Sequence, residues 1–293
     1  MPYWRRYHTG NFQVNKKRPA RTAGRKLTFK DRYLPVILSA VTVTVVFLLL
    51  QRAVVRAEQW PRIKAQFFSI AAIAEVFPSV LKGFGINMLV WITALAAIAV
   101  WALTLAVFRS LSGPWFAPLR VFAIVYIDFF RGLPSLLLVL LFGFGIPALR
   151  LSGLPKSSLF WGALAIIASY AAYAAEVYRS GIDAVHEDQR IAAKALGLNQ
   201  WQVLHYAILP QAIRNVVPSL LNLAVALQKD VALLSVLGVR DAVREAQIYT
   251  ARTFNYSSLI AAALLFLAAT IPMARFADYV TQKDRKRRLR IAP

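Results

Sequence analysis

The stretch EVYRSGIDAVHEDQRIAAKALGLNQWQVLHYAILP, residues 176–210, decides how this chain is read. It is polar and helix-favouring, and it follows one strongly apolar run (159–177) and precedes another (213–237). A turn of a few residues is enough to join two packed helices, so a patterned connection of this length implies a surface made to be touched. Residues 187–196 read as a short helix, with Glu187 and Asp188 in its first turn where the helix dipole favours acids, and Gly197 as its left-handed stop. Asn199 opens a second short helix, Gln202 completes a capping box with it, and Pro210 suits the first turn of the span that follows. Ala192, Ala193, Leu196 and Gly197 share one face by i, i+3 and i+4 spacing, a face of small residues that lets another surface approach the backbone. The other reading is an amphipathic loop lying on its own bundle.

Composition sets the surroundings of this loop. The 293 residues are 58% hydrophobic and carry a net charge of +22, from 35 Lys and Arg against 13 Asp and Glu. Several apolar runs approach the roughly 20 residues that a membrane helix needs. Six are read as spans: 34–50, 86–108, 122–145, 159–177, 213–237 and 258–273. The basic region before residue 34 is long for a signal peptide and no small-residue cleavage site follows, so 34–50 is read as a retained span. Residues 70–81 are apolar but short and hold Glu75 and Pro78, which fits an interfacial helix better than a span. The third span is interrupted by DFFRGLP at 128–134.

The cations give the orientation. With both termini in the cytoplasm, the inner segments hold 21 Lys and Arg: ten in 1–33, two in 109–120, three in 178–209 and six in 281–293. The outer segments hold ten: five in 51–83, two in 146–158 and three in 238–256. That bias places the 176–210 loop in the cytoplasm. The basic ends thus read as membrane flanks attracted to anionic lipid, not as a nucleic-acid surface. The expected organisation is a basic cytoplasmic arm (1–33), an N-terminal span (34–50), an extracytoplasmic loop with its interfacial helix (51–83), a core (84–280) containing the cytoplasmic loop (181–210), and a basic cytoplasmic tail (281–293).

Several kinds of chemistry are excluded. The absence of Cys rules out disulfides, thiolate catalysis and cysteine metal sites, and three His residues leave little for a histidine cluster. No phosphate-binding G-x-x-x-x-G-K-[S/T] loop occurs, so the chain does not hydrolyse nucleotide through one.

Charges inside apolar runs mark candidate sites, because such groups meet a cavity, a partner or the interface and not lipid. Glu176, with Tyr173 and Tyr170 three and six residues before it, forms a polar stripe on an Ala- and Ser-rich helix. Two roles fit Glu176: a carboxylate facing a central cavity and taking a substrate's ammonium group, or a helix-end acid paired with Arg179. Lys229 and Asp230 lie 17 and 18 residues into the fifth span. Neighbours on a helix point about 100° apart, so the two need different partners. One can face the cavity or act at a gate, or both can hold the bundle together. Asp128 and Arg131 fit a gate or a plain interfacial position equally well.

The motifs then narrow the family. IAAKALGL (191–198) followed by AILP (207–210) is similar to the EAA loop of binding-protein-dependent ABC importer permeases: E-A-A, three residues, G, nine residues, I-x-L-P. Ala192, Ala193, Gly197, Leu209 and Pro210 match, while Ile191 stands where the family has Glu and Ala207 where it has Ile. YIDFFRGLPSLLLVLLFGFGIP resembles the YxExFRGTPLLVQLF segment of polar amino-acid permeases, AAYAAEVYRSGI their AYxAEIxRGGI, and LQKDVALLSVLGV their LLKDTSLVSVIGV. The likeness covers about residues 75–280.

The resemblance implies an all-α, polytopic type I importer permease with about six membrane helices, one of them an extra N-terminal helix. It implies a transport subunit in the bacterial cytoplasmic membrane and not an enzyme. A polar amino acid or close analogue would cross, handed over by an extracytoplasmic solute-binding protein. A dimeric ATP-binding subunit would dock on the loop at Glu187, Asp188, Ile191, Ala192, Ala193, Ala195, Leu196 and Gly197. MgATP would belong to that subunit, with no cofactor or metal on this chain. A second permease chain, identical or homologous, would complete the pathway. Tyr170, Tyr173, Glu176, Lys229, Asp230 and Arg131 are the candidate substrate or gate residues. The alternative is an ion-coupled secondary transporter of a small polar solute, which should carry inverted repeats.

Overall fold

The structure, a computed structural model, describes residues 29–291 apart from 57, 112 and 186. Residues 1–28 of the expected basic arm and the last two residues of the tail lie outside these. The described residues form helices and turns and no strand. They divide into two units, residues 1–60 and 61–293. The described part of the first is essentially α1 (Phe29–Arg56), whose middle, residues 34–50, is apolar on all sides, as for a helix that meets lipid all round.

The second unit begins one residue into α2 (Trp60–Phe67), and past it Ser69 caps α3, its side chain accepting from the Ala72 amide. Here the structure corrects an expectation. Residues 70–81 are not a separate interfacial helix. They are the first third of α3 (Ile70–Ser110), an unbroken helix of 41 residues with Pro78 inside it. The physical reason is a single buried stripe: Ala72, Val76, Val80, Gly83, Asn87, Val90, Ala94, Ile98, Ala102 and Leu105 recur at three or four residues without a phase change across Pro78. Packing along that stripe offsets the hydrogen bond that the proline lacks. At 1.5 Å per residue α3 is about 60 Å long, twice the hydrocarbon thickness and so longer than one crossing needs.

The third span also departs from a straight rod. After α4 (Ala117–Gly132) the chain bends by 103° into α5 (Ser135–Leu140), a π-helical turn (Leu141–Gly145) and α6 (Ile146–Ala148). Pro134 forces the break: Leu133 before it is extended (φ −106, ψ 140), as the proline ring requires of its neighbour. The remaining elements are α7 (Ser158–Asp183), α8 (Glu187–Ala195), α9 (Gln200–Gln202), α10 (Leu209–Asp230), α11 (Ala242–Thr253) and α12 (Ser257–Ile291). The residues expected to form a free tail from 281 continue α12 as helix as far as Ile291. A π-helical stretch, Val203–Ile208, joins α9 to α10, widening the helix just before Pro210, whose ring would clash with the preceding turn. Beyond Asp230 the helix tightens to a 3₁₀ segment, Val231–Leu237, ended by left-handed Gly238.

Among the described residues, five helical stretches are long and apolar enough to cross a membrane, six when the bent pair counts as one span. The main core lies between α3, α4, α5, α7 and the end of α10, around Leu105, Ile127, Leu138, Ile166 and Leu227. Alanines of α7 (Ala165, Ala171, Ala172, Ala174, Ala175) are buried there and let its neighbours approach closely. A second core joins the first third of α3 to α11 and α12 through Val76, Val80, Ala242, Ala246, Ala261 and Ala262.

Candidate functional site

The loop between α7 and α10 is held by its own caps. At the end of α8 the Leu198 amide donates to Ala193 O (3.3 Å) and the Gly197 amide to Lys194 O (2.9 Å), the paired bonds of a Schellman stop, with Gly197 at φ +80. The Asn199 side chain accepts from the Gln202 amide while the Gln202 side chain accepts from the Asn199 amide, both at 2.9 Å. Ala193 is buried against Val185, Val203, Ile208 and Ala212, which fixes α8 to the start of α10. This splits the expected small-residue face. Ala193 turns inward, and Ala192, Ala195 and Gly197 remain exposed with Glu187 and Asp188. Around them stand apolar groups that no described residue covers: Ile191, Leu196 (81% exposed), Trp201 (70%), Leu204 and Tyr206 (69%). Trp201 stacks on His205. Large exposed apolar side chains gathered on one capped loop mark it as a candidate interaction surface.

The candidate transport residues form a chain through the bundle. Glu176 on α7 accepts from Arg109 Nη1 at the end of α3 (2.8 Å) and from Arg179, and Arg131 of α4 stands 4.0 Å away. Arg179 also pairs with Asp183 at 2.5 Å. The Arg131 guanidinium lies over the Tyr173 ring, 5.7 Å from its centre. Tyr173 packs edge-on against Tyr170, whose hydroxyl donates to Asp230 Oδ2 at 2.8 Å. Five of the six sequence candidates are thus brought together, with Asp230 at the junction of α10 and its 3₁₀ extension. Lys229 is exposed and turns away from its neighbour Asp230, as two adjacent helical residues must. Asp128 is exposed one turn before Arg131. A cavity of about 90 Å³ between α3, α7 and α10, lined by Tyr170, Tyr178, Ile98 and Leu227, has room for a few waters and not for an amino acid.

Two elements escaped the sequence reading. Arg109, which holds Glu176, looked like an ordinary basic helix end. Asn87 and Asp241 are fully buried and bonded to each other, Asn87 Nδ2 to Asp241 Oδ2 at 3.0 Å, with the Ala242 amide donating to Asn87 Oδ1 at 3.1 Å. Burial pushes the Asp241 carboxyl above its ordinary value, against the pull of hydrogen bonds from Arg244, Asn87 and Val243. An Asn on the buried phase of an apolar helix was the available signal. Among the described residues no cluster of acids and histidines has the makings of a metal site.

Residues 110–286 match the family model described as the binding-protein-dependent transport system inner membrane component. The chain is 33% identical over 226 residues to the probable amino-acid ABC transporter permease protein YckA of Bacillus subtilis (strain 168), covering 77% of this chain and 96% of that one. It is 35% identical over 184 residues to the glutamate/aspartate import permease protein GltK of Escherichia coli O157:H7, covering 61% and 81%. A crystal structure of an amino acid ABC transporter with histidines superposes with a TM-score of 0.66 at 27% identity, covering 74% of this chain and 98% of that chain. The chain belongs to the binding-protein-dependent transport system inner membrane components, the permease subunits of ABC importers. It is a multi-pass membrane transport subunit that works with an ATPase subunit and a substrate-binding protein.

Proposed function

We propose that this chain carries a polar amino acid or close analogue across the bacterial cytoplasmic membrane, as one of two permease subunits, identical or homologous. Both termini and the 181–210 loop lie in the cytoplasm. A partner ATPase dimer, which alone binds MgATP, docks on the exposed surface formed by Ile191, Ala192, Ala195, Leu196 and Gly197, with Trp201 beside it. The observation that carries this reading is the capped loop with apolar groups that no described residue covers. In place of the family's carboxylate at the loop start, Ile191 offers an apolar contact, and Glu187 and Asp188 supply acid one turn earlier.

The transport path runs along Arg131, Tyr173, Tyr170 and Asp230. Glu176 is a positioning residue, because Arg109 and Arg179 already occupy its carboxylate. Lys229, exposed and turned away from Asp230, meets the second permease chain. The substrate reading rests on relatives named for amino acids. Uptake by the reconstituted complex with the ATPase and binding protein should require ATP and persist when proton and sodium gradients are collapsed. Uptake driven by an ion gradient without ATP would overturn the proposal.

A further inference from the structure

At the end of the molecule opposite the 181–210 loop, α11 packs on the outer third of α3. The contact is tight and fixed. A Cβ on Gly83 would come within 2.5 Å of the Asp241 carbonyl carbon and 2.6 Å of the Ala242 nitrogen, so only glycine allows the two backbones this approach. The Asn87–Asp241 pair closes the contact beneath it. Above this floor is a cleft of about 220 Å³ lined by Ser79, Lys82, Gly83, Ile86, Arg240 and Glu245.

The cleft is cationic and only half satisfied. Arg240 gives Nε and Nη2 to the Glu245 carboxylate at 2.6 and 3.1 Å, which orients its guanidinium and leaves the Nη1 donors unused. Lys82 is exposed and has no acidic partner among the described residues. Two cations facing one carboxylate leave one positive charge, and Glu245 orients the Arg240 member of the pair. A guanidinium oriented in advance loses little freedom on taking up a carboxylate.

We infer that this cleft receives an acidic side chain of the extracytoplasmic substrate-binding protein and fixes where that protein sits on the permease. The inference rests on the importer reading above and adds the docking point. A carboxylate of the transported solute is the poorer occupant, because the cleft floor is sealed by Gly83 against Asp241 and does not lead into the bundle. Salt should therefore weaken docking, since the pair acts near the surface.

The test uses the full permease–ATPase complex in nanodiscs of zwitterionic lipid and the binding protein that stimulates its ATPase. Binding is measured at low and high salt for wild type and for Lys82→Glu, whose site is exposed, with melting temperature as the check on folding. The expected result is affinity at least tenfold weaker for Lys82→Glu at low salt, a smaller salt dependence than wild type, and recovery with one acid-to-lysine substitution on the binding protein. Equal affinity of folded Lys82→Glu and wild type at low salt would overturn the docking point. Failure of any binding protein to bind or stimulate the wild-type complex would instead count against the importer reading.

Discussion

Glu176 on α7 and Arg109 at the end of α3 form a 2.8 Å ion pair, and Arg179 holds the other oxygen of the same carboxylate. With Arg131 at 4.0 Å, one acid binds three basic groups from α3, α4 and α7. Glu176→Gln leaves these cations facing one another without their common partner. Leaving charges uncompensated in a partly buried setting costs about 1–3 kcal/mol. The variant should melt earlier in detergent, and Arg131→Gln, which removes the 4.0 Å contact and the packing over Tyr173 but keeps the bonds from Arg109 and Arg179 to Glu176, should lose less. Equal stability of Glu176→Gln and wild type would contradict the positioning role.

Tyr170→Phe tests the transport path. It removes the hydrogen bond to Asp230 and leaves a half-buried acid at the point where α10 tightens to a 3₁₀ helix. A segment of that kind is a natural hinge. Uptake per ATP hydrolysed should fall several-fold in proteoliposomes, while the ATPase subunit still co-purifies. Unchanged coupling would remove Tyr170 and Asp230 from the path.

The contact of α11 with α3 should depend on pH. Burial raises the Asp241 carboxyl above its ordinary 3.8 in the folded protein. A group shifted upward stabilises the fold fully below its unfolded value, and that contribution is lost as pH rises through the folded value. Amide exchange at the start of α11, corrected for its intrinsic pH dependence, should therefore show weaker protection as pH rises from about 4 through the raised value. Asp241→Asn, which can still cap the helix, should flatten that slope. A slope of the same size in the variant would rule out Asp241 as its source.

Periodicity and charge made much of this architecture legible from sequence. The apolar runs matched α1, α7, α10 and α12, and the caps at Gly197 and Asn199 were readable because each rests on a local residue pattern. What failed was long-range. Pro78 and Glu75 looked like a break, yet the buried stripe of α3 passes through them because α11 and α12 pack on it from 160 or more residues away. The 103° bend at Pro134 was visible only as an interruption, since a proline marks a break without giving its angle. Tyr170, Tyr173 and Glu176 were found as a stripe, but their partners Asp230, Arg131 and Arg109 come from other helices. Spacing on one helix does not show which charge a carboxylate meets across the bundle.

The central claim is that the capped loop before α10 is where the ATPase engages. Leu196 is 81% exposed, so Leu196→Asp disturbs little packing among the described residues and places a charge in the middle of the proposed interface. The direct measurement is co-purification of the ATPase subunit with the permease extracted in mild detergent. The account predicts that folded Leu196→Asp permease retains little or no ATPase. Recovery of the complex at wild-type stoichiometry would contradict it.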